Sequence, residues 1–418
     1  MKQTLKILRY ADKIDPVSVK DYVKVGGYEA LRKAVENPDK IIDTMKASGL
    51  RGRGGAGFGV GQKWSFVKNT KADVKYVVCN ADEGEPGTNK DRVIIEKVPH
   101  LMLEGMAISG VAVGSTKAYI YLRAEYVYLR ENLEKAIAEA KAQGYLGKKI
   151  MGSKYDFDIE VRLGAGAYVC GEETAMLESI EGKRGEPRYK PPYPGVEGLW
   201  QKPTIINNVE TFVNVPLIIT DGVEEFRKYG SKNNPGTKLY TLSGNIKNPG
   251  VYEFPIGITI RELFEKVGGG CPNGKKLKAI QTGGASGNII PPSLLDTPFD
   301  IDPCNAVGAT FGAGDLMFID EDQDIIDVVE NLTEFFDEES CGQCTPCREG
   351  NRRLLELIRK FKDGTAVLED LELMEELSEV MCDTSLCGLG QASAKPLQSV
   401  IRFFRPEFTK NMKGGHQS

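Results

Sequence analysis

Cys341, Cys344 and Cys347 fall within seven residues, and Cys387 lies forty positions beyond Cys347. The C-x2-C-x2-C run sets three thiolates on one tight loop, aimed at one small volume. A tetrahedral zinc site usually draws its thiolates from two separated pairs. A cubane iron–sulfur cluster presents a separate iron at each corner, so one loop can serve three corners and a remote cysteine the fourth. The spacing points to a [4Fe–4S] cluster, with zinc and free thiols as rival readings. Cys382 competes with Cys387 on spacing alone. A cluster of this kind moves single electrons.

A second chemistry sits near the start of the chain. GRGGAGFGVGQKW runs from Gly52 to Trp64, with six glycines in the ten residues Gly52–Gly61. A backbone this bare can lie against a flat or anionic ligand. Gly52, Gly54 and Gly57 match G-x-G-x-x-G, but a helix precedes them where the dinucleotide fingerprint needs a strand. Lys63 follows closely enough to meet a phosphate. Phe58 and Phe66 bracket the loop and suit either a core or the faces of heteroaromatic rings. NADEGEPGTNKDR (Asn80–Arg92) follows an apolar run ending at Cys79. Its Asp82, Glu83 and Glu85 are too acidic to cradle a phosphate and suit hydroxyl or ring N–H donors. GAGAYVCGEETAML places Tyr168, Glu172 and Glu173 beside the bare Gly164, Gly166 and Gly171. The two glutamates also suit a helix's first turn. A proline-stiffened crossing, Tyr189–Thr211, ends in Asn207-Asn208, whose amides offer donors and acceptors to a ring or a phosphate.

The elements that must position these residues alternate. Tyr28–Glu36, Lys40–Ala47, Pro99–Val113, Val127–Ala142, Glu172–Glu181 and Asn208–Ile219 read as helices. Lys75–Cys79, Ala118–Leu122 and Phe157–Arg162 read as strands. Alternation of this kind predicts a parallel sheet covered by helices, a Rossmann-like α/β domain over 1–234. Loops at strand carboxyl ends are the usual ligand site of such sheets. Near residue 235 the texture changes. Strands at Lys238–Ser243, Val251–Phe254, Leu277–Gln281 and Asp315–Ile319, with a helix at Thr259–Val267, predict a β-grasp, ubiquitin-like domain over 235–320. Ile325–Phe336, Arg348–Lys362, Glu369–Val380 and Ala392–Phe404 predict a helical bundle over 321–418, with the cysteines in its interhelical loops. The tail from Thr409 is polar and reads as disordered.

Composition excludes some classes. A net charge of −5 supplies no basic field for nucleic acid. No apolar run reaches the ~18 residues of a membrane span, and the N-terminus lacks a signal-peptide core. Nine cysteines, an odd number, argue against a disulfide framework and for a reducing compartment, the cytoplasm or its equivalent. Cys79, Cys170, Cys271 and Cys304 read as small buried apolar residues.

GRGGAGFGVGQKW, NADEGEPGT-x-KDR, GAGAY-x-CGEETA, KPPYP, NNVET-x-x-NVP, ESCG-x-CTPCREG and SLCGLG occur together and in this order. End to end, the chain resembles the NADH-oxidising flavoprotein subunit of respiratory complex I, and the related diaphorase subunits of NAD-reducing hydrogenases and formate dehydrogenases share this combination. Some of those carry extra ferredoxin-like or thioredoxin-like domains for which this chain has no room. The resemblance implies FMN among Gly54, Gly57, Lys63, Asn80, Asp82, Glu85, Tyr168, Gly171, Glu172, Asn207, Asn208 and Thr211. It implies NADH stacked by Phe58 and Phe66, with Glu173, Lys190 and Tyr193 on the adenosine side and Glu85 as the catalytic candidate. Tyr193 stands where the family usually has phenylalanine. The SLCGLG match selects Cys387 as the fourth ligand after Cys341, Cys344 and Cys347. The implied partners are a thioredoxin-like [2Fe–2S] subunit and a larger multi-cluster iron–sulfur subunit. The implied location is cytoplasmic, peripheral to the inner membrane through the assembly, with electrons bound for quinone.

Overall fold

The computed structural model describes residues 1–410 and 412–413. Four strands, β1 (Tyr76–Ala81), β2 (Lys117–Leu122), β3 (Asp158–Leu163) and β4 (Thr204–Asn208), form one sheet in the order β3-β2-β1-β4. All three pairings are parallel. β1 carries the apolar run Val77-Val78-Cys79, buried as a strand covered on both faces must be. The chain steps from β1 to β2 to β3 on one side, then returns to lay β4 on β1's other edge. Connections diverge at that reversal and leave a crevice beyond the carboxyl ends of β1 and β4.

The Pro99–Val113 helix is buried along its whole length and packs against the Val209–Asp221 helix. Proline at its first turn and Gly114 at φ 78° beyond its end fix its limits. The Gly52–Trp64 stretch is not loop throughout. A helix starts at Val60 and runs to Asn69, carrying Lys63, Trp64 and Phe66. The bare loop is therefore shorter, and Gly52 N–H to Phe58 O at 2.9 Å and Val60 N–H to Leu50 O at 2.9 Å close its base. The crossing that ends in Asn207-Asn208 finishes as β4, whose pairing with β1 puts Asn208 opposite Asn80.

The second sheet holds β5 (Thr237–Gly244), β6 (Gly250–Pro255), β7 (Leu277–Thr282), β8 (Ile289–Ile290) and β9 (Asp315–Asp320) in the order β6-β5-β9-β7-β8. β5 and β9 are parallel and the outer pairings antiparallel, the β-grasp arrangement. The expected helix is a π-turn segment, Glu262–Val267, and a further helix, Ile301–Val307, precedes β9. A buried ion pair, Lys238 of β5 with Glu210 of the Val209–Asp221 helix, joins this unit to the first.

The C-terminal unit comprises helices Ile325–Glu339, Thr345–Lys362, Leu368–Thr384, Gly388–Ser393 and Lys395–Thr409. Cys344 and Cys387 cap helix N-termini, and Cys347 lies inside its helix's first turn rather than in a loop. Of the tail expected to be disordered, Lys413 N–H bonds Ala366 O at 2.8 Å, whereas residues 411 and 414–418 lie outside the described residues. No described helix is long and apolar enough to cross a membrane.

Candidate functional site

A cavity opens in the crevice beyond β1 and β4. Eight of the expected site residues line it: Gly54, Asn80, Asp82, Glu85, Tyr168, Gly171, Glu172 and Asn208. Each is placed by the chain around it. A Cβ on Gly54 would lie 2.9 Å from the Asn208 Cβ, so only glycine lets the loop settle on that side chain. Asn80 donates to Gly171 O at 2.9 Å, tying the carboxyl end of β1 to the segment after β3. Glu172 caps the Glu173–Ile180 helix through Thr174 N–H at 2.8 Å and Ala175 N–H at 3.0 Å, and takes Lys190 Nζ at 2.7 Å. Its capping and cavity-lining roles hold together.

The cavity is acidic and partly unsatisfied. Glu85 accepts from Tyr168 Oη at 2.9 Å and Ser286 N–H at 3.2 Å, and burial pushes its carboxyl up. Burial likewise pushes Asp82 up to about 7. Asp82 Oδ2 and Thr88 Oγ1 are buried without a protein partner. Buried polar atoms are rarely left so unless a ligand or water completes them. Ribityl hydroxyls would supply those donors.

A second group lies outside that cavity's wall. Lys63 Nζ sits 3.2 Å from Glu173 Oε2 and donates to Ile206 O at 2.8 Å, and Lys190 Nζ is 3.5 Å from Glu173 Oε1. Burial opposes the Glu173 charge, but Lys63 and Lys190 together hold its carboxyl below the usual range. Phe58, Phe66 and Tyr193 are 49%, 52% and 60% exposed, well above the usual exposure of aromatic side chains. The remaining three expected residues work from inside. Asn207 accepts from Trp64 Nε1 at 2.9 Å, Thr211 Oγ1 accepts from Arg53 N–H at 2.9 Å, and Gly57 takes φ 63° where a Cβ would meet Ile301 at 2.8 Å. They hold the glycine loop and the helix behind it.

Sequence reasoning missed several wall residues. Lys90 is buried and bonds Asp91 Oδ1 at 2.7 Å and Asn208 Oδ1 at 3.0 Å. Burial disfavours its charge, but Asp91, Glu210 and Glu83 outweigh that and raise its pKa. The signal was present: Lys90 opens a helix, where the macrodipole favours acids, so the cation needs another reason to be there. The β-grasp unit contributes Gly283, Ser286, Gly312 and Ala313, and the bundle contributes Gly388 and Leu389. A Cβ on Gly284 would fall 2.3 Å from Glu85 Cγ, so this glycine-rich turn is moulded to that side chain.

Cys341, Cys344, Cys347 and Cys387 line a separate, smaller cavity with Val169, Leu386 and Leu389. Among the described residues no three His, Cys, Asp or Glu converge where a lone metal ion would sit. A zinc ion needs all its sulfurs about 2.3 Å from one point. Sulfurs spread around a walled space suit a cluster that gives each its own iron. Burial pushes the Cys347 thiol up to about 11, with the other three cysteines adding to it. Cys382 is not in this wall; its Sγ faces Gln398 at 3.7 Å. Cys79, Cys170, Cys271 and Cys304 are buried. Val169 and Leu389 belong to the walls of both cavities, so one apolar layer separates them.

A parallel sheet with a glycine-loop cavity, a β-grasp unit and a four-cysteine bundle defines a flavin- and cluster-bearing electron-transfer protein. The Nuo51 FMN-binding domain family matches residues 45–217, the SLBB domain 239–290, and the NADH-ubiquinone oxidoreductase-F iron-sulfur binding region 327–411. The F subunit of NADH-quinone oxidoreductase in Escherichia coli (strain K12) is 44% identical over 97% of this chain and 92% of its own length. Its Aquifex aeolicus counterpart is 46% identical over 97% and 94%. The NADP-reducing hydrogenase subunit HndC of Solidesulfovibrio fructosivorans is 47% identical over 94% and 81%. A crystal structure of NAD+-reducing [NiFe]-hydrogenase in the H2-reduced state superimposes with a TM-score of 0.87 at 36% identity, covering 99% of this chain and 68% of that one. The chain belongs to the F-subunit family of NADH-quinone oxidoreductases, with an FMN-binding domain and a [4Fe–4S]-binding region.

Proposed function

We propose that the chain oxidises NADH at the larger cavity and passes the electrons singly through the Val169–Leu389 layer to the four-cysteine site. That shared apolar layer carries the reading, because a hydride-accepting cofactor held in the one cavity would stand next to a one-electron carrier held in the other. Bound FMN supplies the two-electron to one-electron conversion, and a [4Fe–4S] cluster carries single electrons onward.

The chain's own residues bind and orient. Gly54 and Gly55 present bare backbone, with Lys90 and Asn208 beside it, to the anionic end of FMN. Asp82 and Thr88 take its hydroxyls. Phe58, Phe66 and Tyr193 stack on the rings of NADH, and Glu173, held by Lys63 and Lys190, receives the adenosine ribose. Glu85, clamped by Tyr168 and Ser286, stands at the reacting end. Hydride transfer needs no protein acid or base, so stacking, orientation and local charge are the protein's contribution. Cys341, Cys344, Cys347 and Cys387 hold the cluster. The electrons leave toward quinone through a thioredoxin-like [2Fe–2S] subunit and a larger multi-cluster subunit, at the cytoplasmic side of the inner membrane.

Anaerobic NADH should bleach the flavin absorbance of the purified assembly and bring up the EPR signal of a reduced cluster. Bleaching without that signal refutes the coupling, and no bleaching refutes the NADH site. The identity to the hydrogenase protein HndC favours one second reading, a diaphorase that exchanges electrons with a hydrogenase. Reduction of the flavin by H2 in the co-purified assembly would select it.

A further inference from the structure

Cys347 differs from its three companions. It is 4% exposed, against 9% for Cys387, while Cys341 and Cys344 are only partly buried. Two side-chain donors face its sulfur. Ser340 Oγ lies 3.2 Å from Cys347 Sγ, and Asn351 Nδ2 lies 3.5 Å from it.

Both donors are held in place. Ser340 ends the Ile325–Glu339 helix, and its Oγ also accepts from Gly342 N–H at 3.3 Å. Asn351 is fully buried one helical turn beyond Cys347, with Nδ2 also on Cys347 O at 3.0 Å. A ligating cysteine is a thiolate without a proton, so the serine O–H and the amide N–H must be the donors.

We propose that Ser340 and Asn351 are positioning residues that set the reduction potential of the four-cysteine site by hydrogen-bonding the Cys347 sulfur. Reduction adds one electron from the flavin and neither forms nor breaks a bond to the protein. The added negative charge is shared by the thiolates, so donors aimed at one of them bind the reduced state more tightly than the oxidised state and raise the potential. Ser340 makes the shorter contact and carries the larger share. This inference rests on the reading of the four cysteines as [4Fe–4S] ligands.

The test is a potentiometric EPR titration of the full-length chain purified with its partners, with iron content measured on each sample. Ser340→Ala should keep its iron and its EPR line shape. At a fixed ambient potential, its reduced-to-oxidised ratio should fall about tenfold, equivalent to about 59 mV for a one-electron couple. Ser340→Thr, which keeps the hydroxyl, should stay within about threefold of wild type. Should Ser340→Ala lose iron, Ser340→Thr and Ser340→Val, equal in size and differing in the hydroxyl, carry the same comparison. A change below about threefold in an iron-replete variant lacking the hydroxyl overturns the proposal, as does Ser340→Thr shifting as far as Ser340→Ala. Absence of iron and of an EPR signal from the wild type defeats the cluster reading instead.

Discussion

Glu173→Gln should turn the protein toward NADPH. The carboxylate bridges Lys63 at 3.2 Å and Lys190 at 3.5 Å, and all three side chains are about a quarter exposed, at 26%, 25% and 27%. NADPH differs from NADH by a ribose phosphate carrying roughly −1.5 to −2 charges. At about 6 Å and an effective dielectric near 20, one pair of unit charges repels by about 3 kcal/mol. Partial exposure cuts that by about half, while the phosphate's extra charge partly restores it, leaving roughly 2 kcal/mol. Glutamine removes this repulsion and frees Lys63 to face the phosphate, while Lys190 keeps Glu172 at 2.7 Å. The kcat/KM ratio of NADPH to NADH should therefore rise about 30-fold. The amide still bonds the ribose hydroxyls of NADH, so NADH itself should lose less than about fivefold, a neutral hydrogen bond being worth about 1 kcal/mol. The assay is steady-state oxidation of both nucleotides with an artificial acceptor, with flavin per chain measured in each sample. A rise below about tenfold at unchanged flavin content refutes the reasoning and makes Glu173 a helix-start residue, with Glu85 the next candidate for selecting the nucleotide.

Cys344→Ser and Cys387→Ser should each lose the cluster EPR signal and most iron while artificial-acceptor NADH oxidation persists; Cys382→Ser should keep both, and unchanged iron in the first two would refute the ligand set. Lys63→Ala removes the contacts to Glu173 and Ile206 O, and should weaken NADH or FMN roughly 10- to 150-fold, the value of about 1.5–3 kcal/mol for a charge-assisted bond. Titration showing both affinities unchanged would make Lys63 a structural residue. The flavin-free protein should melt lower as pH rises from about 5 to 8. Burial raises Asp82 to about 7, so its contribution is present when it is protonated and is lost as pH passes its folded pKa. Asp82→Asn should remove up to about 2–3 kcal/mol of that slope, leaving the shares of Asp315 and Glu83, whose carboxyls burial also pushes up. A melting curve whose pH dependence is the same in both proteins counts against the buried-carboxylate account.

What the chain discloses before folding follows its periodicities. Val77-Val78-Cys79 is short, apolar and buried on both faces, so β1 was legible, and the helix Pro99–Val113 was read to the residue, whereas the Lys90–Lys97 helix between them was not read. β4 was hidden because Thr204–Asn208 is five residues ending in two asparagines, and its strand character comes from pairing with β1. The helix at Val60 was hidden for a similar reason. Gly61 in its first turn lowers the propensity, and Trp64 locks it by burying its ring and bonding Asn207 in β4. The site divides the same way. Residues on the loops after β1 and β3 could be read locally, because strand carboxyl ends point at the crevice whatever the rest of the chain does. Ser286 could not, since it lies 201 positions from the Glu85 it clamps, on a unit with its own core. Lys90 lies between these cases: its charge at a helix start is a local anomaly, but its partners Asn208 and Glu210 come from β4 and the helix after it. A buried cation satisfied by groups from separate elements exists only once those elements meet. Closing the larger cavity and satisfying Lys90 thus depend on the same elements meeting, so a residue with a local signal in the sequence is explained only by the assembled site.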